Sequence, residues 1–145
     1  MKKIICIIVV VLMVASVVYA QKAKKAGITA KDLPALKGTY TGMLSFGDFE
    51  GGGTSACTLE ILNDTVPVKG KLTISSVPQV VASSMGLSTT PEPMTSDEGT
   101  LTTQGTIMFA GAAKNWLEVS KSGDKKVRVY YYFRGLKGDG TLTKK

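Results

Sequence analysis

From Leu36 onward, apolar residues recur at every second position, and a period of two commits a chain to pleated sheet. The cleanest run is Val127, Val129, Tyr131 and Phe133, opposed by Arg128, Tyr130 and Tyr132. Tyr40, Gly42, Leu44 and Phe46 share one face of a first strand, with Thr39, Thr41 and Ser45 on the other. Cys57, Leu59 and Ile61 alternate with Thr58 and Glu60 in a second. Val66, Val68, Leu72 and Ile74 follow in phase, with Gly70 marking a bulge or a sharp bend. Leu101, Thr103, Gly105, Ile107 and Phe109 read as one further strand, and Leu117 and Val119 as a short one. Leu136 and Leu142 flank Gly138-Asp139-Gly140 in a closing strand or hairpin, the glycines reading as a turn.

The connections fit the same picture. Gly47, Gly51, Gly52 and Gly53 give a glycine-rich hairpin end, and Ser122-Gly123-Asp124-Lys125 another turn. Asn63 and Asp64 both tolerate the positive φ of a tight hairpin. Residues 75–98 break the rhythm: 77–87 are apolar enough to rest on the domain as a helical turn over its open end. Residues 88–98 are polar and proline-bearing, and read as a loop. With no long amphipathic helix, the expectation is an all-β domain over residues 37–145. It is a single antiparallel barrel or sandwich of about eight strands, largely an up-and-down meander. Closure would remove the exposed edges that invite aggregation.

Residues 1–20 read as a cleaved signal peptide. Lys2 and Lys3 give the positive end, an apolar run follows, and Val18-Tyr19-Ala20 supplies small residues for cleavage. The run over 4–18 is about fifteen residues, short of the roughly twenty that span a bilayer. The Met-Lys-Lys start looks bacterial, so the protein is expected in the periplasm or secreted, without a membrane span after cleavage. In that setting the sequon at Asn63-Asp64-Thr65 is a chance match. Residues 21–36 then form a flexible basic arm, in which Thr29 and Asp32 are spaced to cap a short turn that Pro34 soon interrupts.

Composition excludes more than it assigns. The chain has no histidine, which removes Ser-His-Asp and Cys-His mechanisms and histidine-ligated zinc or haem. Of its two cysteines, Cys6 lies in the leader, so Cys57 has no intramolecular partner and reads as a buried, inert thiol. The formal charge of +7 is concentrated in lysines at the two ends, and the only arginines are Arg128 and Arg134. That is a solvated cationic surface and not the one-sided cluster of a nucleic-acid binder.

Leu36-Lys37-Gly38-Thr39-Tyr40-Thr41-Gly42, a glycine and an aromatic entering the first strand, resembles the opening of calycin-like barrels of the lipocalin and avidin type. The serial hairpins and the length are similar too. The resemblance implies the architecture. The paired cysteines and later sequence boxes of many lipocalins have no counterpart here, so no ligand residue is carried over.

Candidate binding residues are Trp116, Arg128, Tyr130, Tyr132 and Arg134, which fall on outward phases and offer large contact area at low entropic cost. Cross-strand aromatic pairs that stabilise the sheet explain the same residues. Asp48 and Glu50 beside the glycine loop lack the spacing of a calcium loop. Glu60 and Glu118 lie on outward phases, with nothing in sequence to bring them together for acid–base work. The expectation is no catalytic residue, no cofactor and no metal. The leading reading is a non-enzymatic exported protein that binds a small apolar ligand or a partner protein, with residues 77–98 as a lid. The alternatives are a structural or assembly subunit of the bacterial cell envelope using the arm or a strand edge, and a carboxylate-dependent enzyme or enzyme inhibitor.

Overall fold

The computed structural model describes residues 27–47, 52–111 and 115–145. The expected signal peptide (residues 1–20), residues 21–26 of the expected arm, and Asp48 and Glu50 lie outside them. The alternating runs become eight strands: β1 (Gly38–Ser45), β2 (Thr54–Ile61), β3 (Val68–Ile74), β4 (Met94–Leu101), β5 (Ile107–Ala110), β6 (Trp116–Gly123), β7 (Lys126–Phe133) and β8 (Leu136–Lys144). They pair antiparallel in sequence order, and β8 returns to β1 through Gly42↔Leu142 and Ser45↔Asp139. The sheet is therefore a closed barrel with meander connectivity, and the choice between barrel and sandwich is resolved.

The inward phases are those of the alternation. Tyr40, Leu44, Leu59, Ile61, Leu72, Val119, Val129 and Leu142 are buried, and Phe46 just beyond β1 joins them. Their side chains fill the interior, so the middle of this barrel is a packed core. Gly70 sits at a register shift between β3 and β4, as its sequence position suggests, and it faces the ring of Phe109.

Several local expectations are corrected. The strand expected from Leu101 to Phe109 is two strands joined by a turn, with Leu101 paired to Ile107. The Thr102 and Thr106 hydroxyls meet at 2.8 Å, and Gly105 takes φ 75°. The polar loop ends sooner than expected, because residues 94–96 pair with β3 as the start of β4. Gly138-Asp139-Gly140 is mid-strand. The β1 backbone at Met43 passes so close to Gly140 that a Cβ there would overlap the Met43 carbonyl oxygen.

The connection after β2 is not a positive-φ hairpin turn. Asn63 staples it: its amide nitrogen donates to the Thr65 and Pro67 carbonyl oxygens at 3.1 and 2.9 Å, and its oxygen accepts from the Lys69 N–H at 2.7 Å. Val66 leaves the core phase within this loop and is 51% exposed.

The lower arm is docked. Thr29 and Asp32 form the expected cap, with the Thr29 N–H and hydroxyl both donating to Asp32 Oδ2 at 2.9 and 2.6 Å. A 3-10 turn (Ala30–Asp32) runs into α1 (Leu33–Leu36), where Pro34 sits near the N-terminus and so costs no helical hydrogen bond. Ile28, Leu33 and Leu36 are buried in the core. The Ile28 N–H donates to the Gly105 carbonyl oxygen at 2.7 Å, and Tyr40 donates its hydroxyl to the Leu36 carbonyl oxygen at 2.7 Å. Residues 28–36 thus plug one end of the barrel. Each buried aliphatic side chain contributes roughly 1.5–3 kcal/mol.

The other end is covered by the β3–β4 connection. It contains α2 (Gln79–Met85), ended by Gly86 at φ 63°, with the Leu87 N–H bonded to the Ala82 carbonyl oxygen at 2.9 Å. Seven residues are too few to hold a helix alone. Burial of Val77, Val81 and Ala82 holds it, and so do a Val77 N–H bond to the Thr89 carbonyl oxygen at 2.6 Å and a bond from the Ser55 hydroxyl to the Ser76 carbonyl oxygen.

Candidate functional site

The two barrel ends differ, and the difference locates the site. At the end covered by α2, residues before and after that helix stand away from the barrel rim and leave a pocket of about 430 Å³. Its apolar wall comes from the ends of β3 and β7, the start of β8 and the cover: Ile74, Tyr131, Phe133, Leu136, Val77 and Leu87. Pro91, Pro93 and Met94 close a side of it. The alternation of β7 delivers Tyr131 and Phe133 here, so the cleanest strand signal in the sequence also builds the pocket floor.

Polar groups at the pocket are few. Ser88, Glu92, Thr95, Asn115 and the Tyr131 phenol line it, and among the described residues no lysine or arginine does. Among the described residues, Asn115 Oδ1 is a buried acceptor with no hydrogen-bond partner. Burial pushes the Tyr131 phenol up to about 12, so it stays protonated. The pocket is therefore a mostly apolar concavity with one carboxylate, Glu92, in its described lining, within the size range of small-molecule sites.

The structure brings only part of the sequence-derived patch together. Trp116 stacks on Tyr130 and on Tyr132, with centroids 5.2 and 5.6 Å apart. The three lie half-buried on the outer face of β6 and β7, the cross-strand aromatic arrangement that stabilises a sheet. Arg128 is drawn elsewhere. Its Nε and Nη2 reach Asp139 on β8 at 2.9 and 2.5 Å, and this guanidinium holds the Asp139 carboxyl below its usual range. Arg134 occupies the β7–β8 turn with its guanidinium 5.4 Å from the Phe133 ring centroid, on the rim of the pocketed end.

The remaining candidates separate. Glu60 on β2 and Glu118 on β6 stand on strands four apart around an eight-stranded ring, so they do not converge. Among the described residues, no three His, Cys, Asp or Glu side chains group as metal ligands. Cys57 is buried, and burial pushes its thiol up to about 11.

The plugged end gathers charge that the sequence reading had dispersed. Lys121, Lys125, Lys126, Lys144 and Lys145 meet Asp32 and Asp124 around a surface hollow of about 400 Å³. Hairpin closure explains it, since the β6–β7 turn and the end of β8 are neighbours there. Lys121 pairs with Asp32 at 3.5 Å, and Lys144 donates to the Ala35 carbonyl oxygen at 2.7 Å.

No known protein family, curated protein or solved structure matches the chain. Among the described residues, no helix is long and apolar enough to cross a membrane.

Proposed function

We propose that this protein is an exported, non-enzymatic binding protein that holds a small apolar molecule at the covered mouth of its barrel. The observation that carries the reading is the pocket of about 430 Å³ between the barrel rim and the β3–β4 connection. The core beneath it is filled, so a ligand rests on Tyr131, Phe133 and Leu136 and does not descend further. Binding removes apolar surface from water on both partners, at roughly 25 cal/mol per Å². α2 and its flanks act as a cover, since few of their residues are anchored and local opening of such segments needs less free energy than global unfolding. Export rests on the leader pattern of residues 1–20.

Among the described residues, pairing of β1 with β8 closes the sheet, which favours the binding reading over assembly through a strand edge. A thermal-shift screen of the secreted form against neutral aromatic and aliphatic compounds tests the binding reading. A ligand present at a hundredfold over its Kd adds about 2.7 kcal/mol and raises Tm by several degrees. Flat melting curves across the whole library would remove it.

A further inference from the structure

The plugged end holds more positive charge than its own acids neutralise. Lys121, Lys125, Lys126, Lys144 and Lys145 surround the hollow of about 400 Å³, with Asp32 and Asp124 as its acids. The side-chain excess is three (five minus two), and even a free carboxylate on Lys145 leaves two. Strand pairing imposes the crowding. The Lys144 N–H donates to the Lys125 carbonyl oxygen at 2.8 Å, Lys126 stands opposite Thr143, and the Lys145 N–H donates to the Thr39 carbonyl oxygen at 2.9 Å. Two of the ammonium groups are held in place. Lys144 Nζ donates to the Ala35 carbonyl oxygen at 2.7 Å and lies 5.9 Å from the Tyr40 ring centroid. Lys121 pairs at 3.5 Å with Asp32, which the Thr29 cap fixes. Among the described residues, Lys125, Lys126 and Lys145 have no acidic partner. Residues 1–26 and 112–114 contain no Asp or Glu. Asp48 and Glu50 belong to the β1–β2 connection, whose described end at Gly53 meets Pro78 at the covered mouth.

Like charges gathered around one hollow repel, and an anion carrying at least two negative charges relieves that repulsion. We infer that the plugged end is a second binding site, distinct from the mouth pocket, which takes a multivalent phosphate-bearing anion, free or as a lipid headgroup. Ammonium groups bind phosphate oxygens as point charges, whereas paired recognition of a carboxylate favours arginine, and neither Arg128 nor Arg134 lines the hollow. Lys121 and Lys144 are its fixed donors, and Lys125, Lys126 and Lys145 supply the uncompensated charge. The two sites occupy opposite ends of the barrel, so an apolar ligand and the anion do not compete.

The test is isothermal titration at low salt with inorganic pyrophosphate, and co-sedimentation with vesicles of cardiolipin and phosphatidylcholine. Lys125→Gln with Lys126→Gln breaks no described side-chain contact and is expected to weaken binding roughly tenfold or more, because charge-assisted hydrogen bonds are lost. Far-ultraviolet circular dichroism confirms the sheet. Lys69→Gln with Lys71→Gln removes the same charge from β3, outside the hollow, and is expected to change affinity by less than about twofold at this screening distance. Pyrophosphate binding without vesicle binding assigns a free anion. Vesicle binding that the Lys125 and Lys126 variant loses assigns a headgroup. Failure of both probes to bind, equal losses in the two double variants, or succinate binding as tightly as pyrophosphate would overturn the inference. Each of those results leaves the mouth-pocket reading standing, since that rests on other residues and other ligands.

Discussion

Phe109 offers the sharpest test of how this barrel is packed. Its ring is buried between two glycines on neighbouring strands, Gly70 on β3 and Gly99 on β4. A Cβ on Gly70 would lie 2.7 Å from Phe109 Cε1 and 2.8 Å from Cζ, closer than carbon atoms tolerate, and its three nearest neighbours are all atoms of that ring. Gly70→Ala therefore overpacks the core and costs about 1–3 kcal/mol. Phe109→Ala empties the slot and costs about 3–5 kcal/mol, and Phe109→Leu a smaller part of that, about 1–2 kcal/mol. At this domain size each kcal/mol lowers Tm by roughly 3–6 °C.

The decisive variant is the double one. Leucine retracts the atoms that obstruct the new methyl, so Gly70→Ala with Phe109→Leu falls short of the summed losses by about 1 kcal/mol or more. Gly99 is the control. A Cβ there meets Phe109 Cε1 at 2.6 Å, but it also meets the Val68 carbonyl oxygen at 2.6 Å, and trimming the ring leaves that backbone atom in place. Rescue at Gly99 is thus smaller than at Gly70. Urea unfolding followed by fluorescence of Trp116, the one tryptophan, measures all six variants, the Gly99→Ala double with Phe109→Leu included. Strict additivity at Gly70, or Gly70→Ala as stable as the parent, would refute the packing argument.

Three further expectations follow from the same geometry. Leu33→Ala is expected to lose about 2–5 kcal/mol in urea unfolding, because Leu33 plugs the barrel end. Cys57, its thiol held near pKa 11 by burial, should react with a disulfide reagent at neutral pH only as fast as the barrel opens; rapid labelling of the folded protein would contradict that. Asp139, held below the usual carboxylate pKa by Arg128, contributes stability present above about pH 4 and lost as acid protonates it in the folded state. Asp139→Asn should therefore differ from the parent at neutral pH and low salt and converge with it in acid, in a pH series of thermal melts.

Much of the fold was legible because most strands carry their burial in alternation. β2 and β7 were found from Cys57 to Ile61 and from Val127 to Phe133 with their faces correct. The turn at residues 102–106 was hidden for a definite reason. Leu101 and Ile107 lie directly opposite, six positions apart, so an even spacing carries the alternation across the turn unbroken. The start of β4 was missed because two of its inward positions are Ser96 and Gly99, where the Phe109 ring leaves no room for a larger side chain at Gly99. Val66 kept the pattern in sequence but not in space, since the Asn63 staple turns that loop outward.

The site was legible in halves. The cover was recognisable from the apolar 77–87 segment, and Tyr131 and Phe133 from the β7 phase, though as core. Asn115 carried no signal, because a polar residue in a connection is ordinary until the fold places it against a pocket. The outward aromatics drew attention first, yet they stack on one another and Arg128 is held by Asp139.

Amide and methyl shifts of the labelled protein, recorded during titration with 2-naphthol, bear most directly on the claim that a solid barrel binds at its mouth. Perturbations confined to Val77, Leu87, Met94, Tyr131, Phe133 and Leu136, with Leu59 and Val129 still, are what the account predicts. Shifts centred on the Trp116 face or the plugged lysine end, or saturating changes through the deep core, would contradict it.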